Sequence, residues 1–148
     1  MSKVKDIIKA KGNSSNVFAV EPNEIVYRAI ELMAEKNIGA LLVMSSHNLS
    51  GVFTERDYTR KVALQGKTSK ETRVWEIMPK EIISVTPDDT VEECMRLMTE
   101  HRVRHLPVVE GTNVVSIISI GDLVNWIIST QNAAIEQMEQ YIAGGVSE

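Results

Sequence analysis

The chain contains little cysteine and no long apolar run. Of its 148 residues only Cys94 carries a thiol, so no internal disulfide can form, which fits a reducing compartment. No apolar stretch is long enough to span a bilayer. Residues 1–11 also lack the continuous apolar segment of a signal peptide. These absences predict a cytoplasmic protein with no membrane partner.

A basic excess is absent as well. The formal net charge is −4, whereas proteins that bind nucleic acid by neutralising phosphates normally have a surplus of lysine and arginine. Nucleic acid is therefore disfavoured as a partner. Apolar residues make up 43% and charged residues 24% of the chain, which is the balance of a globular domain with its own core.

What the sequence does contain is an internal repeat. Residues 17–58 and 82–123 correspond without a gap, each position recurring 65 residues later. The matched pairs include Val20 and Val85, Pro22 and Pro87, Met33 and Met98, Val43 and Val108, and Asp57 and Asp122. A repeat of this kind predicts two copies of one supersecondary unit that pack on each other.

Each copy shows the same succession of patterns. A β-branched run at 17–20 or 82–85 predicts a strand, and Pro22 or Pro87 is expected at the first position of a helix. Apolar spacing of three and four residues continues that helix. Two apolar runs around a polar turn, at 40–53 and 106–118, predict a hairpin. A second helix is expected at about 55–65 and from about 121 to beyond Tyr141.

The predicted fold class is α+β (mixed α/β), with two pseudo-symmetric β-α-β-β-α repeats packed sheet to sheet and an extended C-terminal helix. The repeats are expected at 1–66 and 74–148, each with a short lead-in helix, and are joined by a polar linker at 67–73. The first lead-in is followed by a longer loop, 9–16, which we expect to be a mobile surface segment.

The last helix carries apolar residues beyond the length of its counterpart. They recur every three or four positions, at Leu123, Trp126, Ile127, Thr130, Ala134, Met138, Tyr141 and Ile142. Two interpretations are equally favoured: an oligomer contact, or a helix that folds back on its own core.

Each repeat closes on a hydroxyl residue three positions before an aspartate, Thr54-Glu55-Arg56-Asp57 and Ser119-Ile120-Gly121-Asp122. Taken alone, this spacing is a helix-capping pattern that needs no ligand. Its recurrence at equivalent ends of two repeats favours a binding cleft, because strand ends and helix N-termini meet there. A carboxylate can accept both hydroxyls of a ribose, and a helix N-terminus with Arg56 nearby suits a phosphate.

With the strand, helix, hairpin and helix doubled, the chain resembles a tandem pair of CBS domains, called a Bateman module. The first copy has the family pattern in full at Gly51-Val52-Phe53-Thr54-Glu55-Arg56-Asp57, whereas the second has Ser116 in place of the glycine. A second family pattern ends in proline at the middle strand. Pro107 fits it, and Leu42 stands at the corresponding position of the first copy.

The resemblance implies clefts between the repeats that bind adenosine-containing ligands: AMP, ADP, ATP or NAD. The implied nucleotide-binding residues are Val17, Ile38, Gly39, Ala40, Thr54, Arg56, Asp57, Ile83, Arg104, His105, Pro107, Ser119, Gly121 and Asp122. The aspartates would take the ribose, and Thr54 and Ser119 would lie near the phosphate. No catalytic residue, catalytic cofactor or metal is implied.

The predicted function is a regulatory, ligand-sensing module. It is expected to form a homodimer and to signal in trans to a regulated protein, because no catalytic or transport domain is fused to it in these 148 residues. Two alternatives remain, a dimerisation scaffold without a ligand and an enzyme acting on nucleotides, the second lacking a visible base, nucleophile or metal cluster. Zinc binding by His101 and His105 is disfavoured, since the segment changes to strand near His105. Cys94 is expected in the core.

Overall fold

The computed structural model describes residues 1–12 and 17–146. The helices are α1 (Val4–Lys11), α2 (Val26–Lys36), α3 (Glu55–Tyr58), which continues into a π-helical segment (Thr59–Ala63), α4 (Val74–Ile77), α5 (Val91–His101) and α6 (Ile120–Val146). The strands are β1 (Ala19–Val20), β2 (Ala40–Ser45), β3 (Asn48–Thr54), β4 (His105–Glu110) and β5 (Asn113–Ser119). The mixed α and β class and the repeated order of elements are confirmed.

Two small sheets hold the repeats. In the first, β1 pairs in parallel with β2, and β2 pairs antiparallel with β3, with Ala40 opposite Thr54. In the second, β4 and β5 form the equivalent hairpin, with His105 opposite Ser119. Because β3 and β5 run directly into α3 and α6, each hairpin delivers its Thr or Ser and its Asp to a helix N-terminus.

The predicted first strands are shorter than the β-branched runs. Only Ala19 and Val20 of 17–20 pair as a strand, and the second run contributes a single bridge between Val85 and Val108. The polar turn of the first hairpin is also short, since β2 ends at Ser45 and β3 already begins at Asn48. A run of β-branched residues favours extended backbone but does not fix how many of its N–H groups find a strand partner.

The prediction that Pro22 and Pro87 begin helices is wrong. Helices α2 and α5 begin at Val26 and Val91, four residues later. Each proline instead occupies a turn closed by a backbone hydrogen bond, from Glu24 N to Glu21 O at 3.1 Å and from Asp89 N to Thr86 O at 3.1 Å. The fixed φ of proline suits the second position of such a turn as well as it suits a helix start.

The two short lead-in helices are exchanged between the repeats. Val4 and Ile7 of α1 are buried in the core of the second repeat, together with Val91 and Leu106. In α4, Val74 and Ile77 are buried in the core of the first repeat. The sequence order of the lead-in helices therefore does not indicate which core each completes, and the boundaries at 66 and 74 remain a prediction.

Backbone hydrogen bonds fix this exchange symmetrically. Val4 N donates to Asp89 O at 2.8 Å, and the equivalent Val74 N donates to Glu24 O at 2.9 Å. The linker participates as well, because Thr72 O accepts from Val26 N at 2.8 Å. Helix N-terminal N–H groups lack intrahelical partners, so each exchanged segment satisfies donors that would otherwise be unpaired.

The expected loop at 9–16 is only partly described. Residues 9–11 belong to α1 rather than to a loop, which corrects that part of the prediction. Gly12 follows directly as the C-terminal cap of α1. The remainder of the predicted segment, 13–16, lies outside the described residues.

Helix α6 has a packed first part and an uncovered second part. Leu123 is fully buried, and Trp126 and Ile127 pack against the second core. From Ile128 to Ala143 every side chain is exposed, including Ile135, Met138 and Ile142 at 52%, 64% and 61%. No part of the stripe beyond Ile127 folds back on the described core. No helix in the described part of the chain is long and apolar enough to cross a membrane.

Candidate functional site

A cavity of about 570 Å³ lies where the two repeats meet α1 and α6. The described residues of its wall are Ile7, Ala10, Lys11, Phe18, Asn37, Ile38, Gly39, Ala40, His105, Ile117, Ser119, Asp122, Asn125, Trp126 and Ser129. This volume falls in the range of small-molecule sites. We call it the Asp122 cavity.

Asp122 is held in place on one side and open on the other. Its Oδ2 accepts hydrogen bonds from Lys11 Nζ and from Ser119 N, both at 2.9 Å. Its Oδ1 accepts none from the described residues. The side chains of Lys11 and Asp122 are 19% and 23% exposed, so this ion pair is well shielded from solvent. A carboxylate positioned in this way can accept hydroxyl groups of a ligand at Oδ1.

The first turn of α6 has already used most of its backbone donors. Ser119 N donates to Asp122 Oδ2, Ile120 N donates to Arg104 O at 2.9 Å, and Asp122 N donates to Ser119 Oγ at 3.1 Å. Of the first N–H groups this leaves that of Gly121. The reciprocal bonds of Ser119 and Asp122 form a complete capping box. The expected anion site at this N-terminus is therefore poorer in donors than the sequence indicates.

His105, the first residue of β4, also lines the cavity. Burial lowers the pKa of its imidazole, the nearby positive charges of Arg104 and Lys11 lower it further, and the charge of Asp122 acts in the other direction. The neutral imidazole therefore predominates near neutral pH, and it adds a hydrogen-bonding group without a charge.

Trp126 lines the same wall, but its indole N–H is not exposed to the cavity. Its indole Nε1 is buried and has no hydrogen-bond partner within residues 1–12 and 17–146. An unsatisfied buried N–H costs about 1–3 kcal/mol.

The Asp57 side is built differently. Asp57 Oδ2 accepts from Thr54 N and Thr54 Oγ1, both at 3.0 Å, and Thr54 Oγ1 accepts from Asp57 N at 3.2 Å. Lys61 Nζ lies 3.8 Å from Asp57 Oδ1. Arg56 Nη1 reaches across to donate to Arg102 O. Asp57 thus makes a capping box, and Arg56 joins the repeats.

Two substitutions between the copies explain this asymmetry. Lys61, beside Asp57, corresponds to Trp126, beside Asp122. Gly39, in the wall of the Asp122 cavity, corresponds to Arg104. A Cβ at Gly39 would lie 3.0 Å from Glu55 Oε1 and 3.8 Å from His105 Cε1, so glycine keeps this wall open.

A second cavity of about 420 Å³ shares Asn37, Ile38 and Gly39 with the first. The other described residues of its wall come from α2, α3 and Thr59, and Glu55 is the one charged residue among them. Asp57 lines neither of the two cavities.

The structure brings together six of the residues that the resemblance implied. Ile38, Gly39, Ala40, His105, Ser119 and Asp122 line the Asp122 cavity. Eight lie outside its wall: Val17, Thr54, Arg56, Asp57, Ile83, Arg104, Pro107 and Gly121. Pro107 is buried in β4, and its carbonyl accepts from Val85 N at 3.0 Å. Ile83 packs against the second core.

Several residues that line the cavity were not predicted, among them Lys11, Phe18, Asn125, Trp126 and Ser129. Asn125 and Ser129 lie one helical turn apart on α6, on the helix that extends the Asp122 motif, so that spacing was a usable signal. Lys11 belongs to the exchanged α1, and nothing in the repeat points to it.

Cys94 and His101 lie outside the wall of the Asp122 cavity. Cys94 is fully buried in α5, and burial raises the pKa of its thiol to about 11, as the sequence position in the apolar stripe predicts. His101 ends α5, whereas His105 begins β4, so the two imidazoles stand on different elements.

Comparison with known proteins gives a consistent result. The CBS domain model matches residues 4–64 and 74–129. The chain is 37% identical over 149 aligned residues to the mitochondrial CBS domain-containing protein CBSX3 of Arabidopsis thaliana, covering 96% of this chain and 72% of that protein.

Solved structures agree. A protein with CBS domains from Burkholderia ambifaria MC40-6 is 52% identical, with a TM-score of 0.84 over 88% of this chain and 96% of that one. The CBS domain pair of protein MJ0100, solved in complex with methylthioadenosine and S-adenosyl-L-methionine, has a TM-score of 0.75 over 88% of this chain and 98% of that one. That protein is 23% identical, and the likeness concerns the fold.

Proposed function

The chain belongs to the CBS domain family, whose paired domains are regulatory modules, and we propose that this pair senses an adenosine-containing ligand in the Asp122 cavity. The expected ligands are AMP, ADP, ATP or NAD. One observation carries the proposal: a cavity of about 570 Å³ is walled by both repeats and contains a carboxylate with an open oxygen.

The cavity chemistry supports a nucleoside moiety. Asp122 Oδ1 can accept ribose hydroxyls, as acidic residues do in dinucleotide folds. Phe18 and Trp126 offer aromatic surface from opposite repeats, which suits a planar base. The fold neighbour MJ0100 was solved with two adenosine ligands, so this fold accommodates such molecules.

A route for the signal follows from the elements in the wall. A ligand in the cavity touches α1 through Lys11 and α6 through Asn125 and Ser129. Helix α6 continues into its exposed part, where a second copy of the chain or a regulated protein would sense the change. Binding shifts such an equilibrium only by its differential affinity for two arrangements.

Titration calorimetry with adenosine, AMP, ATP and NAD tests the proposal. We expect saturable heat with at least one of them, and a loss of affinity of about tenfold or more in Asp122→Asn. Asp88→Asn is the matched control, because Asp88 is 77% exposed and pairs only with Lys5 on the surface. Absence of heat and of any thermal shift with all four ligands would contradict the proposal.

A second candidate function is a dimerisation scaffold without a ligand. It is favoured by the two capping boxes, which are complete without any ligand, and by the exposed apolar residues of α6. In that case Asp122→Asn would change the free energy of unfolding but no binding heat. An enzymatic role finds no supporting arrangement of nucleophile and base in the described residues.

A further inference from the structure

We propose that the Asp122 cavity selects adenosine ligands of low net charge and discriminates against di- and triphosphates. This inference rests on the proposed function and specifies its ligand class. It follows from three observations: the charges that line the cavity, the donors already used at the α6 N-terminus, and the uncharged donors that remain.

The positive and negative charges of the cavity wall sum to zero. Among the described residues of the wall only Lys11 and Asp122 carry full charges, and they pair with each other at 2.9 Å. His105 adds no charge near neutral pH, because its buried imidazole has a lowered pKa. The wall therefore has no net charge to offset a polyphosphate.

A phosphate chain would have to break this pair. Lys11 could neutralise it only by leaving Asp122, and the freed carboxylate would then face further negative charge. Uncompensated charge in a partly desolvated cavity is costly. Arg104 influences His105 electrostatically but is exposed and lies outside the wall, so it does not replace Lys11 inside the cavity.

The backbone does not supply the missing positive site. Helix N-termini bind phosphate through free N–H groups. In α6 the N–H groups of Ser119, Ile120 and Asp122 already donate to protein acceptors. One donor, at Gly121, cannot serve three phosphate oxygens.

The remaining donors suit neutral acceptors. Asn125 and Ser129 on α6 carry uncharged polar groups in the cavity wall. Such groups can bind the hydroxyls and ring nitrogens of a nucleoside without paying for desolvation of a multiply charged group. The cavity thus matches a nucleoside or a singly charged derivative.

The test uses the fluorescence of Trp126 as a local probe. The chain has two tryptophans, and Trp75 is 55% exposed and absent from the cavity wall. In a Trp75→Phe background, emission reports on the Asp122 cavity alone. Adenosine, AMP and ATP are titrated at neutral pH and constant ionic strength, without divalent cations.

We expect the Kd to increase from adenosine through AMP to ATP, with ATP weaker than adenosine by about tenfold or more. ATP binding as tightly as adenosine, or more tightly, would overturn the inference and leave the proposed function standing. No response to any of the three would overturn the inference, and if calorimetry also shows no heat with these ligands and NAD, the proposed function falls with it.

Two variants test the role of the ion pair through the ratio of the ATP and adenosine Kd values. Asp122→Asn removes the negative charge and should lower the ratio. Lys11→Met should raise it, whereas Lys9→Met, which removes the same charge from an exposed position of α1, should not. A ratio that is equal in wild type, Asp122→Asn and Lys11→Met would overturn the inference, since a purely structural role would affect both ligands alike.

Discussion

Lys11 Nζ donates to Asp122 Oδ2 at 2.9 Å and so connects the first helix of the chain to the first turn of the last. The same ammonium donates to Ile117 O at 3.0 Å, on the strand that leads into that turn. These residues are 111 positions apart, and their pairing depends on the exchange of α1 onto the second repeat.

Lys11→Met should destabilise the protein. The substitution leaves the Asp122 carboxylate without its counter-ion. Its side chain is 23% exposed, so the ion pair is intermediate between an exposed and a fully buried one. We expect a loss of about 1–3 kcal/mol in the free energy of unfolding, measured by urea denaturation. The control Lys9→Met should stay within about 0.5 kcal/mol. Equal effects of the two variants would contradict the importance of this ion pair.

The capping boxes should contribute to stability without a ligand. Thr54→Ala removes the hydroxyl that accepts from Asp57 N and donates to Asp57 Oδ2. We expect a cost of about 0.5–2 kcal/mol, measured by thermal or urea unfolding. Thr59→Ala is a matched control, because its exposed hydroxyl bonds only to Glu55 O within the helix. If both variants are neutral, the hydroxyl does not act as a cap.

The capping boxes also determine which substitution is informative at the two aspartates. Because Asp57 and Asp122 each accept hydrogen bonds within a capping box, an alanine at either position would weaken folding and binding together. Asparagine retains an acceptor and separates the two effects better.

The exposed apolar residues of α6 should mediate self-association. Val124, Ile128, Ile135, Met138 and Ile142 are 46–64% exposed and follow a heptad spacing. Ile135→Glu should shift the chain toward monomer in sedimentation equilibrium. Ala133→Glu introduces the same charge off this stripe and should not. A wild type that is monomeric at every concentration would refute the interpretation as an oligomer contact.

His105 should make stability depend on pH. Its folded-state pKa lies below the ordinary 6.5, chiefly because of burial, so the unfolded chain binds the proton at higher pH than the folded protein. Stability is therefore present at neutral pH and is lost as the pH falls below about 6.5. His105→Gln should flatten this dependence in urea titrations between neutral and mildly acidic pH, whereas His101→Gln, at an exposed position, should not. An unchanged slope in His105→Gln would contradict the assignment.

The charges that act on His105 modify the size of this effect. Asp122 favours the protonated imidazole, and Arg104 and Lys11 oppose it. Lys11→Met should therefore reduce the loss of stability on acidification, because removing one positive charge raises the folded-state pKa of His105 toward that of the unfolded chain.

The repeat and its periodicities predicted the mixed fold, the hairpins, the long last helix and the core position of Cys94. These are local properties, since alternation and three- and four-residue spacing arise from the geometry of single strands and helices. Pro22 and Pro87 were misplaced because proline suits a turn and a helix start equally, and the choice depends on where α4 and α1 donate their hydrogen bonds.

The sequence by itself determined two equivalent hydroxyl and aspartate motifs, and it favoured the Asp57 copy by its complete pattern. Only the tertiary structure decided that the cavity of about 570 Å³ lies at Asp122 and not at Asp57. The physical reason is that the cavity depends on residues from separate parts of the chain: α1 brings Lys11, the first repeat brings Gly39, and Trp126 replaces the lysine found at the other copy. The sequence shows that the two motifs are equivalent, whereas the packing of the elements around them makes the two sites different.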